Sequence, residues 1–275
     1  MHATARARSR QWTHTVAVAA SSAAVLAILS ACQAPSSEAA VTEIAVAAAS
    51  DLRPAFEEIG VAFTAETGVR VTFSFGSSGQ LAEQIANGAP FDAFASADPR
   101  YVDRVTGAGR ADPGSAREFA IGLLAVWSSP TITAPATFED VASNDYERIV
   151  IASPDHAPYG AAAMEALDAA GLTTAVKDRL IYGQSAADAF RIAASGNADI
   201  VIAPLSLAIA DGGPYIEVPR ELYSPLQQTI IVTTGETRAD AAAGFAAYLA
   251  SAGAREILEA YGFIVDHGAN EASDG

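Results

Sequence analysis

The sequence predicts an α/β protein in which two series of short strands and amphipathic helices build mainly parallel sheets. Three observations carry this. The 275 residues suit one large domain or two of ordinary size. From Glu43 onward, β-like runs alternate regularly with stretches of helical period. After a loop at Asp112 to Ser115, a second series repeats the architecture without repeating the sequence.

EIAVAAA reads as the first strand, LRPAFEEIGVAFTAET as a helix, RVTFSF as the second strand, GQLAEQIANG as the next helix and FDAFASA as the third strand. In the first helix Phe56, Ile59, Phe63 and, at its end, Thr67 recur at helical spacing, and Glu57, Glu58 and Glu66 take the other face. Pro54 falls in the first turn, where a missing N–H does no harm. The second series reads as strand EFAIGLLAVW, strand RIVIAS, helices AAAMEALDAAG and TTAVKDRL, strand LIYG, helix AADAFRIAAS and strand ADIVIA. QQTIIVTT is a further strand, followed by helices RADAAAGFAAYLAS and REILEAYGF, and this returning segment is expected to complete the first lobe. His267 to Gly275 is polar and expected to fray.

Composition narrows the function. Hydrophobic residues at 51% and charged residues at 17% are enough for a sizeable core. A net charge of −16 has the wrong sign for gathering nucleic acid by neutralising phosphates. The single cysteine, Cys32, excludes an intramolecular disulfide and a cysteine-based metal cluster.

Arg6, Arg8 and Arg10 precede an apolar run from Val16 to Leu29, the pattern of a secretory signal that is too short for a mature membrane span. The run ends in Leu29-Ser30-Ala31-Cys32, which resembles the bacterial lipobox, whose cysteine receives a diacylglyceryl group and becomes the mature N-terminus. The expectation is a lipid-anchored extracytoplasmic protein. Loss of residues 1–31 would remove three arginines and no acid, taking the net charge to −19. Residues 32–41 are small and polar and read as a tether.

Three turns share one design, a strand that runs into small or hydroxyl-bearing residues opening a helix: Ala49-Ser50-Asp51, Gly76-Ser77-Ser78-Gly79 and Gly183-Gln184-Ser185-Ala186. Each offers unpaired N–H groups at a helix N-terminus, and the carboxyl ends of parallel strands form the usual crevice of such sheets, so an anion-binding cleft follows. Taken one turn at a time, Ser50, Asp51 and Ser78 are better explained as simple helix caps.

Together, AVAAASDLRPAFEEI, VTFSFGSSGQLAEQIANGAPFDAFASAD, SPDHAPYGAAAMEAL and the terminal YGF resemble the periplasmic molybdate-binding proteins of ABC importers, over about Glu43 to Phe263. The resemblance implies a two-lobe, type II periplasmic-binding-protein-like fold that closes on a tetrahedral oxyanion. It implies no cofactor, no metal beyond the oxyanion, no catalysis, and a monomer that hands molybdate or tungstate to an importer's membrane subunits. Carried over residue by residue, it assigns the anion to hydroxyl and N–H groups of Ser50 and Ser78 in the first lobe, flanked by Asp51 and Gly79. In the second lobe it assigns backbone N–H groups of Tyr159 and Ala186, with the Tyr159 phenol as a further donor. Some members take a tyrosine hydroxyl where this chain has Pro204, which offers neither hydroxyl nor N–H. An unprotonated dianion needs donors alone, whereas protonated phosphate also needs an acceptor, which makes the direction of the Asp51 carboxylate decisive.

The implied organisation is a signal peptide over 1–31, a tether over 32–41, a first lobe from 42–118 and 228–266, a second lobe over 119–227 and a tail over 267–275. Hinges are expected near Ala116 to Phe119 and Pro225 to Gln228. The rival readings are weaker. Sulfate or phosphate receptors would keep the fold. A secreted serine hydrolase using His156 or His267 lacks the G-x-S-x-G spacing at Gly76-Ser77-Ser78-Gly79. A metal-dependent enzyme would want H-x-x-x-H or E-x-x-H pairings that do not stand out. An adhesin would need insertions that are not evident.

Overall fold

The computed structural model describes residues 42–233 and 238–266. The expected signal peptide 1–31, Cys32 and the tether 32–41, and the tail 267–275 with His267, lie outside the described residues.

Two five-stranded sheets organise the chain. The first begins with β1 (Glu43–Ala49), a 3-10 turn at Ser50–Leu52, α1 (Arg53–Thr67), β2 (Arg70–Gly76), α2 (Ser78–Ala86), β3 (Ala93–Ser96) and α3 (Pro99–Gly107), followed by β4 (Arg117–Gly122). The second follows with β5 (Leu124–Ser128), β6 (Ile149–Ala152), α4 (Pro158–Ala169), α5 (Thr173–Val176), β7 (Leu180–Gly183), α6 (Ala186–Ala194), β8 (Ile200–Pro204), α7 (Leu205–Asp211) and β9 (Tyr215–Glu217). The chain then returns to the first sheet through β10 (Leu226–Val232), α8 (Ala239–Tyr248) and α9 (Ala252–Ala260). α3, α7 and β9 have no counterpart in the sequence reading.

The strand orders are β2-β1-β3-β10-β4 and β7-β6-β8-β5-β9. In each sheet the first three strands are parallel and the fourth runs antiparallel to both of its neighbours. The mainly parallel expectation therefore holds, with one reversed strand per lobe.

The stretch 118–127, expected as one strand, belongs to two sheets. Through Gly122 it pairs with β10, and from Leu124 onward it pairs with β8 and β9. At the break the Leu123 carbonyl accepts from Leu205 N at 2.8 Å, and Leu124 N donates to the Tyr223 hydroxyl at 3.1 Å. A continuous apolar run carries no mark of such an exchange of partners, because both halves are buried on their sheets. Strand pairing puts the exchange of sheets at Leu123 and the return between β9 and β10, where the sequence reading set lobe boundaries at 118/119 and 227/228 and hinges near Ala116 to Phe119 and Pro225 to Gln228.

Each core follows from the apolar face that its helices bring. α1 buries Ala55, Phe56, Ile59 and Phe63 and ends where Gly68 takes a φ of 74° and its N–H reaches the Thr64 carbonyl. Thr67, read on the inner face, is exposed and caps the Phe63 carbonyl instead. Phe56 lies 5.6 Å from Phe73, and both Phe119 and Phe245 lie 5.8 Å from it. Phe245 comes from α8, so the returning segment supplies part of this aromatic cluster, and each such ring contributes about 1.5–3 kcal/mol by leaving water. The second lobe packs aliphatic strands under α4 and α6, with Trp127 against Phe190 at 5.0 Å.

Candidate functional site

The C-terminal ends of β1, β2, β6 and β7 face one another across the cleft and deliver four helix starts to one place. Ser50, Asp51, Ser78, Tyr159 and Ala186 line a single narrow cavity of about 10 Å³. All four residues singled out as anion donors in the sequence are therefore together, two from each lobe. A much larger hollow of about 640 Å³ lies on the outer side of β4, near Leu249 and Arg255, and none of the four donors reaches it.

Why these N–H groups are left over follows from the local sequence. Ala49, Ser77 and Ala157, the residues preceding three of the helix starts, make no side-chain cap. In α4, Pro158 has no N–H, while those of Gly160 and Ala161 both reach the Ala157 carbonyl. That leaves Tyr159 N–H. In α6, Ser185 caps the Asp188 N–H at 3.2 Å and takes the Ala189 N–H on its carbonyl at 2.9 Å, while Ala187 N–H goes to Ser50 Oγ at 3.1 Å. That leaves Ala186 N–H. Among the described residues the N–H groups of Ser50 and Ser78 have no partner either. Unpaired first-turn amides carry the positive end of the helix dipole and suit an anion.

The serine hydroxyls are set the same way. Ser50 Oγ accepts from Ala187 N and Ser78 Oγ accepts from Ala97 N at 3.2 Å. Each hydroxyl has its acceptor side engaged and keeps its hydrogen to donate. Both residues are almost fully buried, at 3% and 1% exposure.

Asp51 points away from this task. Gln228 Nε2 donates to its Oδ2 at 2.9 Å, and the Tyr159 hydroxyl and its own backbone N–H add further bonds. Burial raises its pKa to about 7, against the lowering effect of these three bonds. Burial also pushes the Tyr159 phenol well above its usual value, helped by the neighbouring Asp51, so the phenol stays a neutral donor. The Tyr159 hydroxyl is thus engaged on the Asp51 and Gln228 side, and Pro204, buried at the end of β8 opposite Leu124, adds no donor. Gln228, fully buried on β10 with its Oε1 unpaired, was missed by the sequence reading, since nothing in QQTIIVTT separates it from an ordinary strand residue.

At the rim the lobes touch directly. Gly79 N donates to the His156 carbonyl at 2.9 Å, Ser77 Oγ lies 3.0 Å from His156 Nδ1, and Gln80 Nε2 reaches Gln184 Oε1 at 3.4 Å. Deeper in, Ser206 Oγ donates to the Asp51 carbonyl at 2.8 Å. The Ser77–His156 pair has the composition of a hydrolase dyad without its wiring. The Ser77 hydroxyl donates to the His156 carbonyl, and no acid orients the other ring nitrogen among the described residues.

Residues 44–264 match the family model for bacterial extracellular solute-binding proteins. The molybdate-binding protein ModA of Rhodobacter capsulatus is 37% identical over 233 residues, which cover 83% of this chain and 90% of that protein. The periplasmic molybdate-binding protein of Azotobacter vinelandii superposes with a TM-score of 0.76 at 30% identity, covering 81% of this chain and 99% of the other. The sulfate-binding protein SubI of Mycobacterium tuberculosis shares the fold, with a TM-score of 0.69 at 20% identity over 82% and 88% of the two chains.

Proposed function

The chain belongs to the bacterial extracellular solute-binding proteins, and on that premise we propose that it captures molybdate, with tungstate as a close substitute, between its lobes and delivers it to an ABC importer. It is a receptor and not an enzyme. The observation that carries the reading is the convergence of four unpaired helix-start N–H groups and two hydroxyls with free hydrogens on one cavity.

Ser50 and Ser78 would each offer a hydroxyl and an N–H, and Tyr159 and Ala186 an N–H each. Such a set meets oxygen atoms all round a tetrahedral dianion and supplies no counter-charge that would have to be desolvated. Selectivity against phosphate follows from the same geometry. At neutral pH phosphate carries a proton that needs an acceptor, and the Asp51 carboxylate is occupied by Gln228, Tyr159 and its own amide. Sulfate shares the charge and shape and differs in size, and the choice of molybdate rests on the relatives' names.

Closure would be a population shift, since donors from both lobes act together only when the lobes meet. No helix among the described residues is long and apolar enough to cross a membrane. Membrane attachment is assigned here to a lipid on Cys32, and the protein to a monomer.

Calorimetric titration of the chain from Gln33 onward with molybdate, tungstate, sulfate and phosphate tests the reading. One-to-one binding of molybdate and tungstate alone is the expected result. Preference for sulfate or phosphate would keep the receptor and replace the substrate, and no heat with any of the four would sink it.

A further inference from the structure

We infer that Gly122 is a positioning residue for anion capture, its missing side chain leaving a notch at the crossing between the lobes that the Tyr159 hydroxyl enters as they meet. The inference rests on the two-lobe capture reading above. Gly122 is the last residue of β4 and pairs with Leu226 on the first sheet, whereas Tyr159 stands in the first turn of α4 on the second lobe. A Cβ placed on Gly122 would lie 1.9 Å from the Tyr159 hydroxyl oxygen, 3.0 Å from its Cζ and 2.9 Å from Gln228 Nε2.

Nothing in the local backbone asks for glycine there. Gly122 is not among the residues with positive φ, so β4 alone would accept alanine. The demand comes from the other lobe. Tyr159 is 2% exposed and its hydroxyl is bonded to Asp51, with Gln228 Nε2 at 3.4 Å. The ring is rigid, and its burial leaves little room to swing about its side-chain torsions, so its tip retreats chiefly with the first turn of α4. That turn carries the Tyr159 N–H that faces the anion cavity, so filling the notch withdraws a donor from the anion without touching the anion.

The test compares the unaltered protein with Gly122→Ala, Tyr159→Phe and the double variant, using molybdate as the probe in calorimetry and stopped-flow binding, with thermal unfolding of each ligand-free protein. Gly122→Ala is expected to unfold near the unaltered protein's temperature yet bind molybdate about 10- to 100-fold more weakly. Tyr159→Phe keeps ring and backbone N–H, and is expected to associate at the usual rate and release molybdate about 3- to 10-fold faster. In the double variant, Gly122→Ala should cost less than it costs alone, because the atom of closest approach is gone although Cζ and Gln228 Nε2 still crowd the new methyl. Unaltered affinity in Gly122→Ala overturns the inference, as does an equal loss with and without the Tyr159 hydroxyl. Should Gly122→Ala not fold, Tyr159→Phe decides, and release at the unaltered rate overturns it. An unaltered protein that binds none of molybdate, tungstate, sulfate and phosphate would overturn the capture reading, and the inference with it, whereas normal binding with additive variants removes the notch alone.

Discussion

The two sheets run their strands in the same plan, two parallel and then two antiparallel pairings, yet the first lobe reaches the cleft with hydroxyls as well as amides and the second with amides alone. The hydroxyls also differ from each other. Ser78 Oγ is oriented by Ala97 N of its own lobe, whereas Ser50 Oγ is oriented by Ala187 N of the opposite lobe. Ser78 is therefore prepared before the lobes meet, and Ser50 is completed by their meeting. On the proposed capture reading, an anion begins to bind at the first lobe, and the second lobe then supplies both its own N–H groups and the last orientation of Ser50.

The largest expected effect concerns a group that only the first lobe carries at the floor of the cleft. Asp51 is buried without a cation at ion-pair distance among the described residues, and its pKa is raised from 3.8 to about 7. Below pH 4 the folded and unfolded chains both hold the proton. Between about 4 and 7 the folded chain binds more protons, so stability falls as pH rises and stays low above 7. Asp51→Asn removes this slope and brings an amide into a network where Gln228 Oε1 lacks a donor. At pH 8 the variant should be more stable to denaturant by about 2–4 kcal/mol, with little difference at pH 4. Parallel stability curves for the two proteins across that range would show that Asp51 is held as a carboxylate, and the asymmetry of the cleft floor would go.

Much of the donor set was legible because its determinants are local. A strand that runs straight into a helix leaves first-turn N–H groups to be satisfied wherever it occurs, so the turns of Ser50, Ser78 and Ala186 could be picked out locally, whereas Tyr159 was named by the resemblance alone. The sheets were legible in their periodicity. Long-range choices were not. The break at Leu123 depends on which strands lie alongside, and Gln228 acquires its role only because β10 returns about 100 residues later beside Gly122. Gly122 itself looks like a glycine in a strand, and its reason lies on the opposite lobe.

The next effect separates the two serines. Ser78→Ala and Ser50→Ala each remove one donor to a charged ligand and should weaken molybdate binding by about 1.5–3 kcal/mol. Their kinetics should divide. Loss of the prepared hydroxyl at Ser78 should slow association as well as speed release, while loss of Ser50, which also leaves Ala187 N–H unmatched in the closed form, should act on release alone. Stopped-flow rates for the two variants decide this, and identical rate profiles would mean that both hydroxyls are set at the same stage.

The smallest effect belongs to the rim. Ser77 is buried beside Ser78 at 2% exposure, but its hydroxyl meets His156 and not the cavity's donors. The rim also carries the Gly79 N to His156 carbonyl bond at 2.9 Å, which no side-chain change at position 77 removes. Ser77→Ala should therefore cost about 0.5–1 kcal/mol of molybdate affinity, expressed as faster release with association unchanged. A loss as large as that of Ser78→Ala in the same titration would make Ser77 a ligand. Three hydroxyls, not two, would then serve the anion from the first lobe, and the second lobe's share would be smaller still.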